Sequence, residues 1–252
     1  MNPKADYLNF DAQTYLERYY GTIDSENEAL IRFIARSMST LNRSNGSFCD
    51  AGCGGSLCAS LIAANYVGSI VLADYSRCSR EAITLWMNRD PRAFGWDTFD
   101  SYIQELIRSS EVPSAILRRK FAAVLDLDVT KSSPLSETGD KFLFDYLYSG
   151  FCLEHACDSA VGFSECLGNV STLLRFGGEL ILITLMNGRA IFIDHQAYAV
   201  ATLSAMDVRE ALAQHGFEIE SEEFVQATQS RAEKEYGGML MTRARKSIRI
   251  SN

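Results

Sequence analysis

Ser47-Phe48-Cys49-Asp50-Ala51-Gly52-Cys53-Gly54-Gly55-Ser56 decides the fold of this 252-residue chain. A short apolar strand runs into a glycine cluster, and the apolar Leu57 to Ala64 that follows reads as a helix. Gly52 can take a tight turn at positive φ. Gly54 and Gly55 carry no Cβ, so the main chain there can lie close to a ligand. The helix N-terminus then offers unpaired N–H groups to a polar or anionic group. Glycines in a G-x-G also mark ordinary turns, so the next segment carries weight. Ser69-Ile70-Val71-Leu72-Ala73 is a second apolar run. It ends at Asp74, about 20 residues beyond the glycines, where an acid would grip a pair of ribose hydroxyls.

Two nucleotide-like ligands fit that arrangement. A dinucleotide fold wants a third glycine for helix packing, and no glycine stands between Leu57 and Tyr66. Asp50 stands two residues before Gly52 instead. An acid there suits a ligand whose amino-acid end is cationic, and S-adenosylmethionine is such a ligand.

Composition bounds the rest. The length suits one α/β domain with a decorating segment. Hydrophobic residues make up 47%, enough for a substantial core, and the net charge of -8 argues against a nucleic-acid groove. Met1 to Asp11 shows no apolar leader, and the run Leu180 to Leu185 is too short to cross a bilayer. Seven cysteines, an odd number scattered through apolar segments, read as reduced thiols in a cytoplasmic protein without a metal site.

Before the glycine loop, Phe10 to Tyr20 is aromatic-rich at helical spacing. Tyr15 and Tyr19 share one face, and Leu16 and Tyr20 the next. These rings pack the segment onto the domain or cover a ligand as a lid. Asp24 or Ser25 caps a helix over Glu26 to Leu41. Residues 1–45 are thus read as a helical cap and 46–252 as the catalytic domain. After Asp74, helices are expected over Cys78 to Met87, Ala93 to Arg108 and from Pro113 to Lys120. A third strand, Phe121 to Leu125, leads to Asp128 and Val129. A fourth, Phe142 to Ser149, leads to Gly150-Phe151-Cys152-Leu153-Glu154-His155, a loop with an acid and an imidazole at the end of a parallel strand. Ser164 to Leu174 reads as a helix ending in Arg175-Phe176-Gly177-Gly178, and Glu179 to Leu185 as a central strand. Met186 to Ser204 is an insert holding Arg189, Phe192, Asp194 and His195. Asp207 caps Val208 to Gln214, and His215 closes that helix. Phe217 to Val225 and Met239 to Ile248 read as a closing antiparallel pair.

The order of elements and several motifs together resemble the nicotinamide, phenylethanolamine and indolethylamine N-methyltransferase family, which includes thioether methyltransferases. The motifs are Tyr15-Leu16-Glu17-Arg18-Tyr19-Tyr20, Asp50-Ala51-Gly52-Cys53-Gly54, Asp74-Tyr75-Ser76, Pro91-Arg92-Ala93-Phe94-Gly95-Trp96, Asp128-Val129-Thr130, Phe151-Cys152-Leu153-Glu154 and Phe176-Gly177-Gly178. The resemblance runs from about Phe10 to Val225. It implies a Rossmann-like class I methyltransferase: an α/β fold with a seven-stranded, mostly parallel sheet, helices on both faces and an N-terminal helical cap.

Residue by residue, it implies that Tyr15 and Tyr20 close over S-adenosylmethionine. Gly52, Cys53 and Gly54 form the backbone cradle with Ser56 beside them, and Asp74 and Tyr75 meet the ribose and adenine. Asp128 and Val129 also contact the adenine. Ser79 stands where an amide side chain is common near the ribose, and Gly150 closes the site at the fourth strand. Glu154 matches an acid that faces the substrate nitrogen in amine-binding relatives; from the loop's own chemistry His155 reads as a reserve acid/base or as a histidine merely hydrogen-bonded to backbone. Tyr19, Phe151, Arg189 and Phe192 complete the expected substrate side. The expected activity is methyl transfer to a small-molecule acceptor, most simply an amine nitrogen, giving S-adenosylhomocysteine. A sulfur or oxygen acceptor, with Arg189 pairing an acidic group on it, is the alternative. A monomer or weak homodimer is expected, with neither nucleic acid nor membrane as a partner.

Overall fold

A computed structural model describes residues 7, 10–41, 45–135, 142–193, 196–228 and 236–247. The glycine stretch folds as its composition requires. Ser47–Ala51 is β1 and Ser69–Asp74 is β2, and they pair in parallel with Cys49 opposite Val71. Between β1 and the short helix that follows, Gly52, Gly54 and Gly55 take φ of 80°, 63° and 82°. A side chain is strained in that region. A Cβ on Gly52 would also lie 2.1 Å from Cys152 Sγ, so no larger residue fits.

The remaining strands are β3 (Phe121–Asp126), β4 (Phe144–Gly150), β5 (Leu174–Met186), the hairpin β6 (Ala190–Ile193) and β7 (Gln196–Ala199), then β8 (Phe217–Gln226) and β9 (Gly238–Lys246). Seven of them form one sheet in the order β3-β2-β1-β4-β5-β9-β8. β1 to β5 run parallel, and β9 pairs antiparallel with both β5 and β8. The order reverses between β1 and β4. In open α/β sheets that switch point opens a crevice at the carboxyl ends of the strands.

Helices cover both faces. They are α1 (Ala12–Tyr20), α2 (Ser25–Ser39), α3 (Cys58–Ala63), α4 (Arg77–Met87), α5 (Asp97–Ile107), α6 (Pro113–Lys120), α7 (Ala160–Ser171) and α8 (Ala205–Gln214). Side chains alternate across β1: Phe48 joins the core under α2, α3, α5 and α6, and Cys49 joins the opposite core under α7 and α8. On α2, Leu30, Ile31, Phe33, Ile34 and Met38 are all buried. At about 2 kcal/mol per buried side chain, that face supplies on the order of 10 kcal/mol of transfer free energy. The amino-terminal helices therefore share the core of the sheet domain instead of forming a core of their own.

Several boundaries differ from the sequence reading. The helix expected from Ala93 begins at Asp97, because Arg89 to Trp96 turn back through Asp90, whose side chain accepts from Arg92 N. α7 starts at Ala160, four residues early, where Ser159 accepts from Gly162 N. Arg175 to Gly178 lie within β5, not in a helix end; the pairing slips there, from Phe144↔Leu174 to Tyr146↔Glu179. Ser204 is the cap of α8, and Ser204 N donates to the Asp207 carboxylate in a capping box. The 186–204 insert contains the β6–β7 hairpin. The expected residues Asp194 and His195, and the end of the last strand beyond 247, lie outside the described residues. Among the described residues no helix is long and apolar enough to cross a membrane.

Candidate active site

A cavity opens over the switch point and encloses about 1210 Å³ of empty space, its mouth included. Its floor is the carboxyl edge of the sheet. Gly52 and Gly54 come from the loop after β1; Asp74, Tyr75, Ser76 and Ser79 from the end of β2 and the start of α4; Leu127 to Thr130 from the loop after β3; Gly150, Phe151 and Cys152 from the loop after β4. Its roof is the amino-terminal segment, with Tyr7, Phe10, Tyr15, Tyr19 and Tyr20. The roof rings contact one another, Phe10 with Tyr15 at 5.3 Å and Tyr15 with Tyr19 at 5.2 Å between centroids.

The floor is tied together from within. Gly52 N donates to Ala73 O, and Gly54 N donates to Asp74 Oδ2 at 2.7 Å. Ser76 N donates to the other oxygen of Asp74. Burial pushes the Asp74 carboxyl up, and these two hydrogen bonds and the Arg80 charge pull it back. Arg80 Nη1 donates to Asp74 O, Tyr75 O and Asp126 Oδ1, which locks the ends of β2 and β3 in one register. Asp128 accepts from Thr130 N and Oγ1. Asp50, under the loop, is buried; burial moves its carboxyl up to about 8, partly offset by Ser60. Its Oδ1 has no hydrogen-bond partner among the described residues.

The roof touches the floor and the far wall at three points. A Cβ on Gly54 would meet the Tyr15 ring at 3.4 Å, so the ring rests on the glycine loop. Tyr19 OH donates to Phe192 O in β6. Tyr7 OH lies 2.7 Å from His155 Nδ1. His155 also bonds the Ala199 backbone, but burial dominates and holds its imidazole down at about 4, so it is neutral. Tyr20 is buried with its hydroxyl pushed up to about 12.

Of the residues singled out in the sequence, Tyr15, Tyr19, Tyr20, Gly52, Gly54, Asp74, Tyr75, Ser79, Asp128, Val129, Gly150, Phe151 and His155 line this one cavity. Five do not. Cys53 is buried beneath the loop. Ser56 sits behind the wall, where its side chain bonds Tyr20. Phe192 acts through its carbonyl on Tyr19, and Arg189 lies at the edge of the β6–β7 hairpin, its carbonyl accepting from Val200 N.

The fifth is Glu154. It lies in a single 3₁₀ turn, Leu153–His155, and is fully buried at 0% exposure. Its Oε1 accepts from Leu185 N at 2.8 Å. Leu185 lines the cavity and Glu154 does not, so the carboxylate stands behind that wall. Its Oε2 has no partner among the described residues, and burial raises its carboxyl from 4.5 to about 7. Residues that the sequence reading did not place here include Tyr7, Glu26, Asn27, Ile191, Tyr236 and Met239. Glu26 carried only the signal of a first-turn acid on a helix, which ordinarily faces water.

Known proteins resemble the chain over nearly all its length. Residues 2–247 match the model of the NNMT/PNMT/TEMT family. Phenylethanolamine N-methyltransferase of Sus scrofa is 28% identical over 225 residues, covering 84% of this chain and 79% of that protein. Nicotinamide N-methyltransferase of Sus scrofa is 29% identical over 238 residues, covering 90% and 89%. Among solved structures, the N-methyltransferase NodS from Bradyrhizobium japonicum, in complex with S-adenosyl-l-homocysteine, has the same fold. Its TM-score is 0.56 at 12% identity, over 98% of this chain and 99% of that one.

Proposed function

The chain belongs to the NNMT/PNMT/TEMT family of S-adenosylmethionine-dependent methyltransferases, and we propose that it methylates the nitrogen of a small amine. The observation that carries this reading is the charge of the cavity wall. Among the described residues that line it, Glu26, Asp74 and Asp128 are carboxylates and none is Lys or Arg. Such a wall favours cationic ligands. It offers no counter-charge to an acidic acceptor, and Arg189, the residue that would have provided one, is elsewhere.

The residues present fit the cofactor. Gly52 and Gly54 adopt backbone that only glycine takes readily, and the loop they form lies beside Asp74 at the end of β2. Asp74 would hold the ribose, with Tyr75, Asp128 and Val129 around the adenine. Asp50 lies buried under that loop with one oxygen unpartnered among the described residues, and it would reach the amino group at the methionine end through a water. When bound, S-adenosylmethionine supplies a methyl group already activated by a positive sulfur. The protein's part is to place the acceptor and exclude water, and positioning of this kind supplies roughly 7–11 kcal/mol in favourable cases.

Tyr15 and Tyr20 would close the roof over the cofactor. Tyr19 and Phe151 would face the acceptor. An amine must shed a proton before or after attack. Glu154, with a proton affinity centred near neutral pH, is the group whose basicity suits that task. Glu154 does not line the cavity, so a water would have to carry the proton to it, and the neutral His155, which does line the cavity, would orient the acceptor.

Calorimetric titration with S-adenosylhomocysteine, on the wild type and on Asp74→Ala, tests the cofactor half. Heat in the wild type that the substitution abolishes is expected. A panel of arylalkylamines, heteroaromatic amines and thiols, read by release of S-adenosylhomocysteine, tests the acceptor half. Turnover of thiols and of no amine would refute the nitrogen reading.

A further inference from the structure

The hydroxyl of Tyr7 stands where the two ends of the cavity meet. Its ring packs against Phe10 at 5.5 Å and Tyr198 at 5.1 Å between centroids. With Phe151, Leu185 and Ile191 it belongs to the apolar cluster around the β6–β7 hairpin. Burial raises its hydroxyl, and so do the ionisable groups of Cys152, Glu154, Tyr198 and Asp74. Those neighbours come from the loop after β4, from β7 and from the end of β2, so the hydroxyl lies between the acceptor side and the nucleotide side. At neutral pH it is an intact phenol, with one O–H to donate and lone pairs to accept.

His155 settles which way that hydroxyl points. The imidazole is buried and neutral. A neutral imidazole has one N–H and one bare nitrogen. Burial holds its basicity down, and its bond to the Ala199 backbone pulls it partly back, as a carbonyl acceptor does. The ring proton therefore goes to Ala199 O. Nδ1 is left bare, and Tyr7 OH, 2.7 Å away, donates to it. Both ring nitrogens are thus engaged within the protein, and the influence of His155 on the acceptor passes through Tyr7. With its proton committed to His155, Tyr7 Oη turns lone pairs, not a hydrogen, to the cavity. A phenol that already donates one hydrogen bond is also the better acceptor of a second.

We propose that Tyr7 Oη accepts a hydrogen bond from an N–H of the methyl acceptor, with His155 as the positioning residue that fixes it as an acceptor. The site thereby selects primary and secondary amines over fully substituted nitrogen. This rests on the amine reading of the site given above. On a tetrahedral nitrogen, holding one N–H limits where the lone pair points, and in-line attack needs that direction. The lone pair forms the new N–C bond, the C–S pair stays on sulfur, and the positive charge passes to nitrogen. The N–H to Oη bond strengthens as that charge develops, and it asks for no proton transfer to Tyr7 or His155. A tertiary amine has no N–H to offer as it attacks, so methylation stops there.

The test uses the full chain saturated with S-adenosylhomocysteine and two probes. One is 2-phenylethylamine; the other is its N,N,N-trimethyl derivative. Both are cations at neutral pH, and only the first carries an N–H. Calorimetry reads the binding of each, so no turnover is needed. Tyr7→Phe keeps the ring against Phe10 and Tyr198. It is expected to weaken 2-phenylethylamine on the order of 10- to 100-fold, while the trimethyl probe and S-adenosylhomocysteine change little. His155→Leu is expected to show the same pattern, and the double variant no further loss, because the two side chains act as one unit. His155→Asn, whose amide oxygen can accept from Tyr7 OH, is expected to recover most of the binding. Unchanged 2-phenylethylamine binding in Tyr7→Phe overturns the proposal. An equal loss with both probes overturns it as well, because that marks a tyrosine that only packs the roof. A matching loss of S-adenosylhomocysteine affinity also overturns it, because the hydroxyl then serves the cofactor. All three outcomes leave the amine reading standing. A wild type that binds S-adenosylhomocysteine and neither probe removes that reading, and the role of Tyr7 with it.

Discussion

Glu154 and His155 are adjacent, buried, and shifted in opposite directions, and this predicts a stability profile that neither shows alone. Glu154 goes from 4.5 up to about 7 because burial penalises its charged form. Between those values the folded protein holds a proton that the unfolded chain releases. Its contribution is fully present below pH 4.5 and is lost as pH rises through about 7. His155 goes from 6.5 down to about 4, again through burial of the charged form. Its contribution is present above pH 6.5 and is lost as pH falls through about 4. At about 1.4 kcal/mol per pH unit, each is worth about 3 kcal/mol. In the wild type the two nearly cancel across the window they share. Glu154→Gln removes one side of that balance. Relative to the wild type it should gain about 3 kcal/mol on going from pH 4 to about pH 8, and His155→Asn should lose a similar amount. Urea unfolding of the cofactor-free protein reads this directly. With a slope of about 3 kcal/mol per molar, each difference is about 1 M in midpoint. Two variant curves running parallel to the wild type would refute the burial of these groups as the source of their shifts.

Two further outcomes follow from the geometry. Gly52→Ala should cost about 2–5 kcal/mol: part is the left-handed backbone, and the rest is the collision with Cys152. A midpoint within experimental error of the wild type would mean that the loop has room the structure does not show. The roof segment should resist protease more strongly when S-adenosylhomocysteine is bound, because Tyr15 lies on the glycine loop the cofactor would occupy. Equal cleavage of residues 7–20 with and without it would remove the lid.

The sheet was legible wherever an apolar run ended at a punctuating residue. β1 into Gly52 and β2 into Asp74 are read from sequence because the strand pattern and the turn chemistry agree. Phe176-Gly177-Gly178 misled for the same reason. Paired glycines signal a helix end, but here they sit in β5, where the pairing with β4 slips between Phe144 and Tyr146. The β6–β7 hairpin was missed because four-residue strands are too short to display a period. Asp207 was given the cap of α8 because it adjoins the apolar run, and Ser204 three residues earlier takes the end position of the capping box.

The cavity shows a sharper division between what a sequence pattern reaches and what it does not. Asp74 follows from its position at the carboxyl end of a parallel strand, whereas Asp128, which could equally be a turn aspartate, was singled out by the family resemblance. Glu154 was assigned the correct loop, but a single 3₁₀ turn decides on which side of Leu185 its carboxylate falls, and no periodicity encodes that choice. Glu26 was invisible for the opposite reason. Its own neighbourhood looks like an ordinary helix start, and what makes it buried is contributed by Thr228 and Tyr236 from the connection between β8 and β9. Glu154 accepts from Leu185 N on one oxygen and has no partner for the other among the described residues, and burial raises its carboxyl to about 7. Glu26 accepts from Thr228 N, Thr228 Oγ1 and Tyr236 OH, donors that no local pattern around α2 could announce.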